Sequence, residues 1–163
     1  MRQTNISLIS LAMSFKILVM GLSGAGKTTL AAKLCKELDA SHINADIVRE
    51  KYNDWDFSGE GRMRQAFRIR DLASSSVAEY VVMDFICPLN ECRKVLRADV
   101  VIWMDTTCSS KYKDTDGIFE PPIEPSTIIV HSREYSTRGI ALIIRNKKSK
   151  KEKEWFTAKM PTF

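Results

Sequence analysis

The segment Gly21-Leu22-Ser23-Gly24-Ala25-Gly26-Lys27-Thr28 satisfies the pattern G-x-x-x-x-G-K-[ST] at every fixed position. The chemistry it suits is triphosphate binding. Glycines let successive backbone N–H groups turn inward around phosphate oxygens, and a helix starting there adds its partial positive charge. Lys27 would reach the β and γ phosphates, and the Thr28 hydroxyl would ligate Mg²⁺. The expected nucleotide contacts are therefore Gly21, Ser23, Gly24, Ala25, Gly26, Lys27, Thr28 and Thr29, with ATP and Mg²⁺ as the bound pair. Asn44-Ala45-Asp46-Ile47-Val48-Arg49 places a carboxylate and a guanidinium three residues apart. A carboxylate can orient an acceptor hydroxyl and take its proton, and an arginine can grip an anionic acceptor bidentately. Asp46 and Lys27 are thus the expected catalytic pair. The bland alternative is a helix start with Asp46 as N-cap and Arg49 solvated.

These groups need a scaffold that brings them to one edge. Phe15–Met20 is almost wholly apolar and reads as a strand buried on both faces, typical of a parallel sheet. Thr29–Leu38 carries Leu30, Leu34 and Leu38 at helical spacing. Further strands are expected at His42–Ala45, Tyr80–Met83, Val100–Met104 and Thr127–Val130. Ser58 is placed to cap a helix reaching to about Glu79, with Met63, Ala66, Phe67, Ala73 and Val77 on one side and Arg64, Arg68 and Arg70 solvated. Strands alternating with helices give a three-layer α/β P-loop NTPase, nucleotide-kinase-like, with a mainly parallel five-stranded sheet. The glycine loop, Asp46, Asp84 and Asp105 all fall just past strand ends, where open α/β sheets bind ligands. Asp84 either supports Mg²⁺ alongside Thr28 or serves as a cap or hydrogen-bonding group. Residues 106–126 are polar and proline-rich and read as a loop or lid. Gly139–Ile144 reads as one more strand.

Composition bounds the rest. The 163 residues contain 25 Lys plus Arg against 20 Asp plus Glu, and all of the net +5 falls in residues 145–163. A neutral body offers no global field for nucleic acid, so any such partner depends on the 145–163 tail. That tail is expected to be a solvated turn or frayed end, with Trp155 and Phe156 available to dock it. No apolar run approaches the roughly 20 residues that span a bilayer, so no membrane role is expected and a cytoplasmic location is. The four cysteines form no C-x-x-C pair. Zinc and a disulfide framework are therefore not expected, and Cys87 reads as a buried, inert thiol. The domain limits read as a loose extension over 1–12, a kinase domain over 13–144 and the basic tail over 145–163. Met13 serves as well as Met1 as an initiator.

Over residues 15–130 the chain resembles adenylylsulfate (APS) kinases, which phosphorylate the 3′-hydroxyl of adenosine 5′-phosphosulfate with MgATP. The stretch from Gly21 to Ala31 fits closely. The family's D-G-D-x-V-R becomes Asn44-Ala45-Asp46-Ile47-Val48-Arg49, keeping the second aspartate and the arginine. Its G-F-S-x-x-D-R-x-x-N becomes Asp56-Phe57-Ser58-Gly59-Glu60-Gly61-Arg62-Met63-Arg64-Gln65, with Gly61 in place of aspartate and Gln65 in place of asparagine. Its S-x-I-S-P becomes Asp84-Phe85-Ile86-Cys87-Pro88. Lys113-Asp114-Thr115 and Phe119-Glu120-Pro121-Pro122 complete a combination similar to a shorter branch found in phages and some bacteria. The longer lid with G-L-Y-K-K-A-R is absent. The resemblance implies that Arg49 and Arg62 hold the phosphosulfate, that Phe57 borders the adenylyl pocket, and that Asp46, Gln65 and Ile86 also meet the acceptor. It implies a small anionic acceptor as partner. Small kinases of this kind are often dimers, and no segment here marks a homodimer interface.

Two other functions fit the loop. One is a kinase for another hydroxyl, of a nucleoside or a polynucleotide 5′-end. The other is a non-catalytic nucleotide-binding module. A GTPase is not expected, because no N-K-x-D segment is present.

Overall fold

The computed structural model describes residues 13–159. The expectations about residues 1–12 and the alternative start lie outside them. The strands are β1 (Phe15–Met20), β2 (Ser41–Asn44), β3 (Tyr80–Asp84), β4 (Val100–Met104) and β5 (Ile128–Val130). The helices are α1 (Lys27–Leu38), α2 (Ala45–Tyr52), α3 (Gly59–Ser74), α4 (Asn90–Leu96), α5 (Lys113–Ile118) and α6 (Thr137–Lys159). The sheet runs β2-β3-β1-β4-β5, and every neighbouring pair is parallel.

The alternation of side chains along β1 assembles two cores. Ile17 and Val19 face Leu30, Leu34 and Leu38 of α1 together with Ile140, Ala141 and Ile144 of α6. Leu18 and Met20 face Ala66, Ile69 and Ala73 of α3 together with Cys92 and Leu96 of α4. Because the chain leaves β1 toward β2 and β3 on one side and returns to β4 on the other, the phosphate loop opens onto the crevice at the strand ends.

Three expectations change. Gly139–Ile144 is not a strand but the first turns of α6. Ile140, Ala141 and Ile144 are its only buried residues, and their spacing matches one helix face as well as a short β-branched run. The segment after 145 is likewise not a turn or frayed end. Lys148 pairs with Glu79 and Glu152, and Lys151 with Asp99. These pairs tie α6 beneath the sheet, so part of the tail's charge is met by the body. Trp155 and Phe156 stack edge to face at 5.3 Å and line, with Phe15, an apolar cavity of about 330 Å³.

The third change concerns α3, which ends at Ser74 rather than near Glu79. Three serines follow one another there, and the Ser75 hydroxyl donates to Leu72 O, so side chains compete with the helix ladder. Val77 falls beyond the helix and is exposed, and within it Phe67 faces outward while Arg62 and Gln65 join the buried face. Ser58 does cap the helix, accepting from Gly61 N.

Gly61 is tightly enclosed: a Cβ there would lie 2.3 Å from Asp56 O and 2.4 Å from Asp56 Cγ. Gly61→Ala is expected to destabilise the fold by about 1–3 kcal/mol in urea titrations, despite alanine's better helix propensity. In an Asp56→Gly background the same substitution should cost less, giving a measurable coupling in a double-mutant cycle.

Candidate functional site

The phosphate loop is held by carbonyls turned outward. Thr106 Oγ1 donates to Ala25 O at 2.6 Å, Arg133 Nη2 to Gly24 O at 2.6 Å, and Lys27 Nζ to Leu22 O at 2.9 Å. Positive φ is required at Gly21, where a Cβ would also meet Met104 O at 2.6 Å. Helix α1 begins behind Gly26 with no side-chain cap and no acidic residue in its first turn. By contrast, α2 is capped by Asn44 and α3 by Ser58. The first N–H groups of α1 thus have no side-chain cap, the arrangement an anion at a helix start uses, whereas the Ala25 N–H is taken by Leu22 O at 3.2 Å.

Next to the loop, Asp84 is buried at the end of β3. It accepts from Thr28 Oγ1 at 2.7 Å and from Asn44 Nδ2 at 2.8 Å, with His42 Nε2 at 3.5 Å. Burial alone would raise the Asp84 carboxyl. The hydrogen bonds from His42, Thr28 and Asn44, with the nearby Lys27 charge, outweigh it and hold the group below the ordinary carboxylate range. Lys27 is shifted down by burial, and the charges of Asp84 and Asp46 oppose the shift. No cluster of three or more His, Cys, Asp or Glu suited to a metal occurs among the described residues. Thr28 and Asp84 offer two hard oxygen donors, which fits Mg²⁺, an ion that keeps most of its shell for water and phosphate.

On the far side of the crevice, Asn44 rather than Asp46 is the N-cap of α2, accepting from Asp46 N at 3.0 Å and Ile47 N at 3.1 Å. Asp46 is therefore free of capping duty and exposed in the first helical turn. Arg49 is not solvated. It is 3% exposed, its Nη1 donates to Asp54 O and Asp56 O, and its guanidinium lies 4.5 Å from the Phe57 ring centroid. Burial lowers its pKa first, with Arg62 repelling it and Asp54, Asp46 and Asp56 opposing the shift. Arg62 is also buried. Its Nε donates to Phe57 O at 2.8 Å, and its Nη2 to Thr115 Oγ1 at 3.2 Å.

Neither Arg49 nor Arg62 forms an ion pair among the described residues. The buried side-chain atoms left without a partner there are Gln65 Oε1, Asn90 Oδ1, Arg93 Nε and Thr127 Oγ1. The unspent N–H groups of Arg49 and Arg62 are therefore not sealed in the core. Two carboxylate-free guanidiniums thus flank a half-exposed Phe57, the chemistry that an anion beside an aromatic ring would need.

Other expected residues take supporting places. Gln65 is fully buried and donates from Nε2 to Ala45 O at 2.7 Å, which fixes the start of α2. Ile86 is half-buried in the loop after β3. Asp105 pairs with His131 at 3.1 Å. Cys87 is buried, and burial pushes its thiol well up.

Arg64 lies exposed as expected, Arg68 is half-buried, and the two are not idle there. Both grip Asp54, and Arg64 also reaches Asp56. Hydrogen bonds from Arg64 and Arg68 hold the Asp54 carboxyl far below its ordinary value, and bonds at Ser58 and Arg64 lower Asp56. Depressed carboxyls contribute stability that is present above the unfolded pKa, about 3.9, and is lost as pH falls through the folded value. With Trp103 and Trp155 replaced by phenylalanine, Trp55 fluorescence is therefore expected to stay flat from neutral pH down to the ordinary Asp range. It should change only below that range.

Sequence reading missed His42, Asn44, Asp54, Thr106, Thr115 and Arg133. Two of them had a usable signal: Asn44 stands where the resembled motif has its first aspartate, and Thr115 lies in the Lys113-Asp114-Thr115 segment.

Residues 17–83 match the family model described as an AAA domain. Among solved structures, the Mycobacterium tuberculosis APS kinase in complex with AMPPNP and APS superposes with a TM-score of 0.66 at 20% identity, covering 83% of this chain and 97% of that one. A gluconokinase from Sinorhizobium meliloti gives 0.61 at 16% identity, covering 92% and 99%. The shikimate kinase from Acinetobacter baumannii in complex with shikimate gives 0.53 at 16%, covering 85% and 98%. The chain has a P-loop kinase fold. A curated relative, the molybdopterin-guanine dinucleotide biosynthesis adapter protein of Haemophilus influenzae, is 36% identical over 59 residues. That match covers 36% of this chain and spans 32% of the adapter's length. No helix among the described residues is long and apolar enough to cross a membrane.

Proposed function

We propose that the chain is an ATP-dependent kinase that transfers the γ-phosphate to a hydroxyl of a small anionic acceptor, with the 3′-hydroxyl of adenosine 5′-phosphosulfate as the first candidate. The observation that carries this reading is the position of Asp46. It is exposed in the first turn of α2, one turn before Arg49, and its charge opposes the lowering of both Lys27 and Arg49. In this reading the N–H groups of Gly21–Thr29 cradle the phosphates and Lys27 follows the charge that builds on them. Thr28 and Asp84 would hold Mg²⁺, which supplies further charge neutralisation when bound. Asp46 orients the hydroxyl and takes its proton. Arg49 and Arg62 hold the anion, and Phe57 offers a ring edge for an adenine. Gln65 supports Asp46 through Ala45 O, and Ile86 borders the acceptor. Positioning and charge supply most of the catalysis.

The likeness to a kinase structure holding APS supports this acceptor, as does the pairing of cations with an aromatic ring. The adapter relative favours a second reading, nucleotide binding without transfer. Both are tested by offering γ-labelled ATP with APS, gluconate, nucleosides and 5′-hydroxyl oligonucleotides. Label on APS supports the first candidate, and label on the oligonucleotide alone moves the acceptor to a polynucleotide. Tight ATP binding with label on none of them favours the adapter-like reading.

A further inference from the structure

Residues 106–126, expected to form a loop or lid, carry helix α5, which touches the proposed acceptor site through one side chain. Thr115 is the only buried residue of α5. A six-residue helix has no stability of its own, so its position comes from its anchors. At its start, Asp116 accepts from Ser110 N at 2.7 Å and Ser110 Oγ at 2.6 Å. Past its end, Glu120 N donates to Pro88 O at 2.9 Å, and Glu120 Oε2 accepts from Asn90 N. The first anchor fastens the segment to itself and the second to the loop after β3 and the start of α4, while the Phe119 ring, just past α5, lies 6.1 Å from the Trp103 ring of β4. The hydrogen bond from Arg62 Nη2 to Thr115 Oγ1 alone joins the helix to the arginine pair.

In that bond the threonine oxygen is the acceptor, because a guanidinium can only donate. The hydroxyl proton of Thr115 has no acceptor among the described residues. It is carried beside a guanidinium that has N–H groups to spare and no carboxylate partner. An anion oxygen bound by Arg62 would satisfy both.

We propose that Thr115 is an anion-binding residue supplied by the lid. It accepts from Arg62 and donates its own proton to the acceptor's phosphate or sulfate oxygen. The inference rests on the acceptor site proposed above and adds the group that makes the lid part of it.

The test uses inorganic sulfate titrated calorimetrically into full-length protein saturated with AMPPNP and Mg²⁺, so that the phosphate loop is filled. Thr115→Val keeps the shape and removes the hydroxyl; Thr115→Ser keeps the hydroxyl. Valine is expected to weaken sulfate binding by about tenfold, and serine by no more than about twofold. In turnover assays valine should raise the acceptor KM by a similar factor and leave the ATP KM unchanged, which a general loosening of the lid would not do.

Equal sulfate affinity in wild type and the valine variant overturns the role of Thr115, as does the absence of any sulfate site or equal loss in both variants. If sulfate binding follows the hydroxyl but no acceptor is ever phosphorylated, the kinase reading fails and the anion site stands.

Discussion

Asp46→Asn is expected to slow phosphoryl transfer by about 10²–10⁴-fold, the range typical of losing a positioned general base, with ATP affinity nearly unchanged. The substitution keeps shape and hydrogen-bonding reach, so α2 should survive it. Its cap is Asn44, which bonds Asp46 N and Ile47 N through their backbone groups and not through the Asp46 side chain. The asparagine can still accept a hydrogen bond from the acceptor hydroxyl, but it cannot take the proton. A second consequence reaches Lys27. Burial pushes that ammonium down, and the Asp84 and Asp46 charges offset part of the shift. With one charge gone, the lysine should lose its proton at lower pH. The alkaline limb of the rate profile is therefore expected to move to lower pH in the variant. Single-turnover rates across pH, with nucleotide affinity measured beside them, check both. A variant with near-wild-type transfer would remove Asp46 from the chemistry. A variant with slowed transfer and an unmoved alkaline limb would remove only the link to Lys27.

The scaffold was legible because its signals are local. The apolar run Phe15–Met20 and the glycine pattern after it fix a strand, a loop and a helix in one stretch of chain. The strands that follow end on polar residues that must share an edge. The acceptor side was harder to read, because its contacts run over distance. The spacing to Asp46 suggests a role for Arg49, but not that it is buried by a loop folding back to offer Asp54 O and Asp56 O. The exchange at positions 56 and 61 shows the same limit. Against the resembled motif, a glycine has become Asp56 and an aspartate has become Gly61, which in sequence reads as a lost carboxylate. In the fold, the Asp56 carboxyl occupies the space a side chain at Gly61 would need, so the carboxylate has changed its carrier more than its place. The tail misled for a different reason. Ile140, Ala141 and Ile144 satisfy a strand-like run and a helix face alike, and only packing against α1 and the partners of Lys148 and Lys151 decide between them.

Arg49 separates charge from geometry. Arg49→Met is expected to lower kcat/KM for the acceptor by about 10²–10³-fold, the loss associated with a buried, hydrogen-bonded ionic contact. Two effects combine in that figure. The anion loses a guanidinium that has no carboxylate partner, and the loop from Asp54 to Phe57 loses the donor that ties two of its carbonyls together. Arg49→Lys tells them apart. Lysine restores the charge and could bond the two carbonyls that Nη1 alone holds, but it has no flat guanidinium to set over Phe57 and only one N–H left for an anion. The expected result is that lysine recovers little, with the acceptor KM still raised and the Trp55 signal shifted as in the methionine variant. The ATP KM should be unchanged in both, since the hydrogen bonds of Arg49 among the described residues go to Asp54 O and Asp56 O and not to the phosphate loop. Recovery to near wild-type activity in the lysine variant would mean that charge alone is required, and the acceptor site would then be a diffuse cationic surface rather than a shaped one.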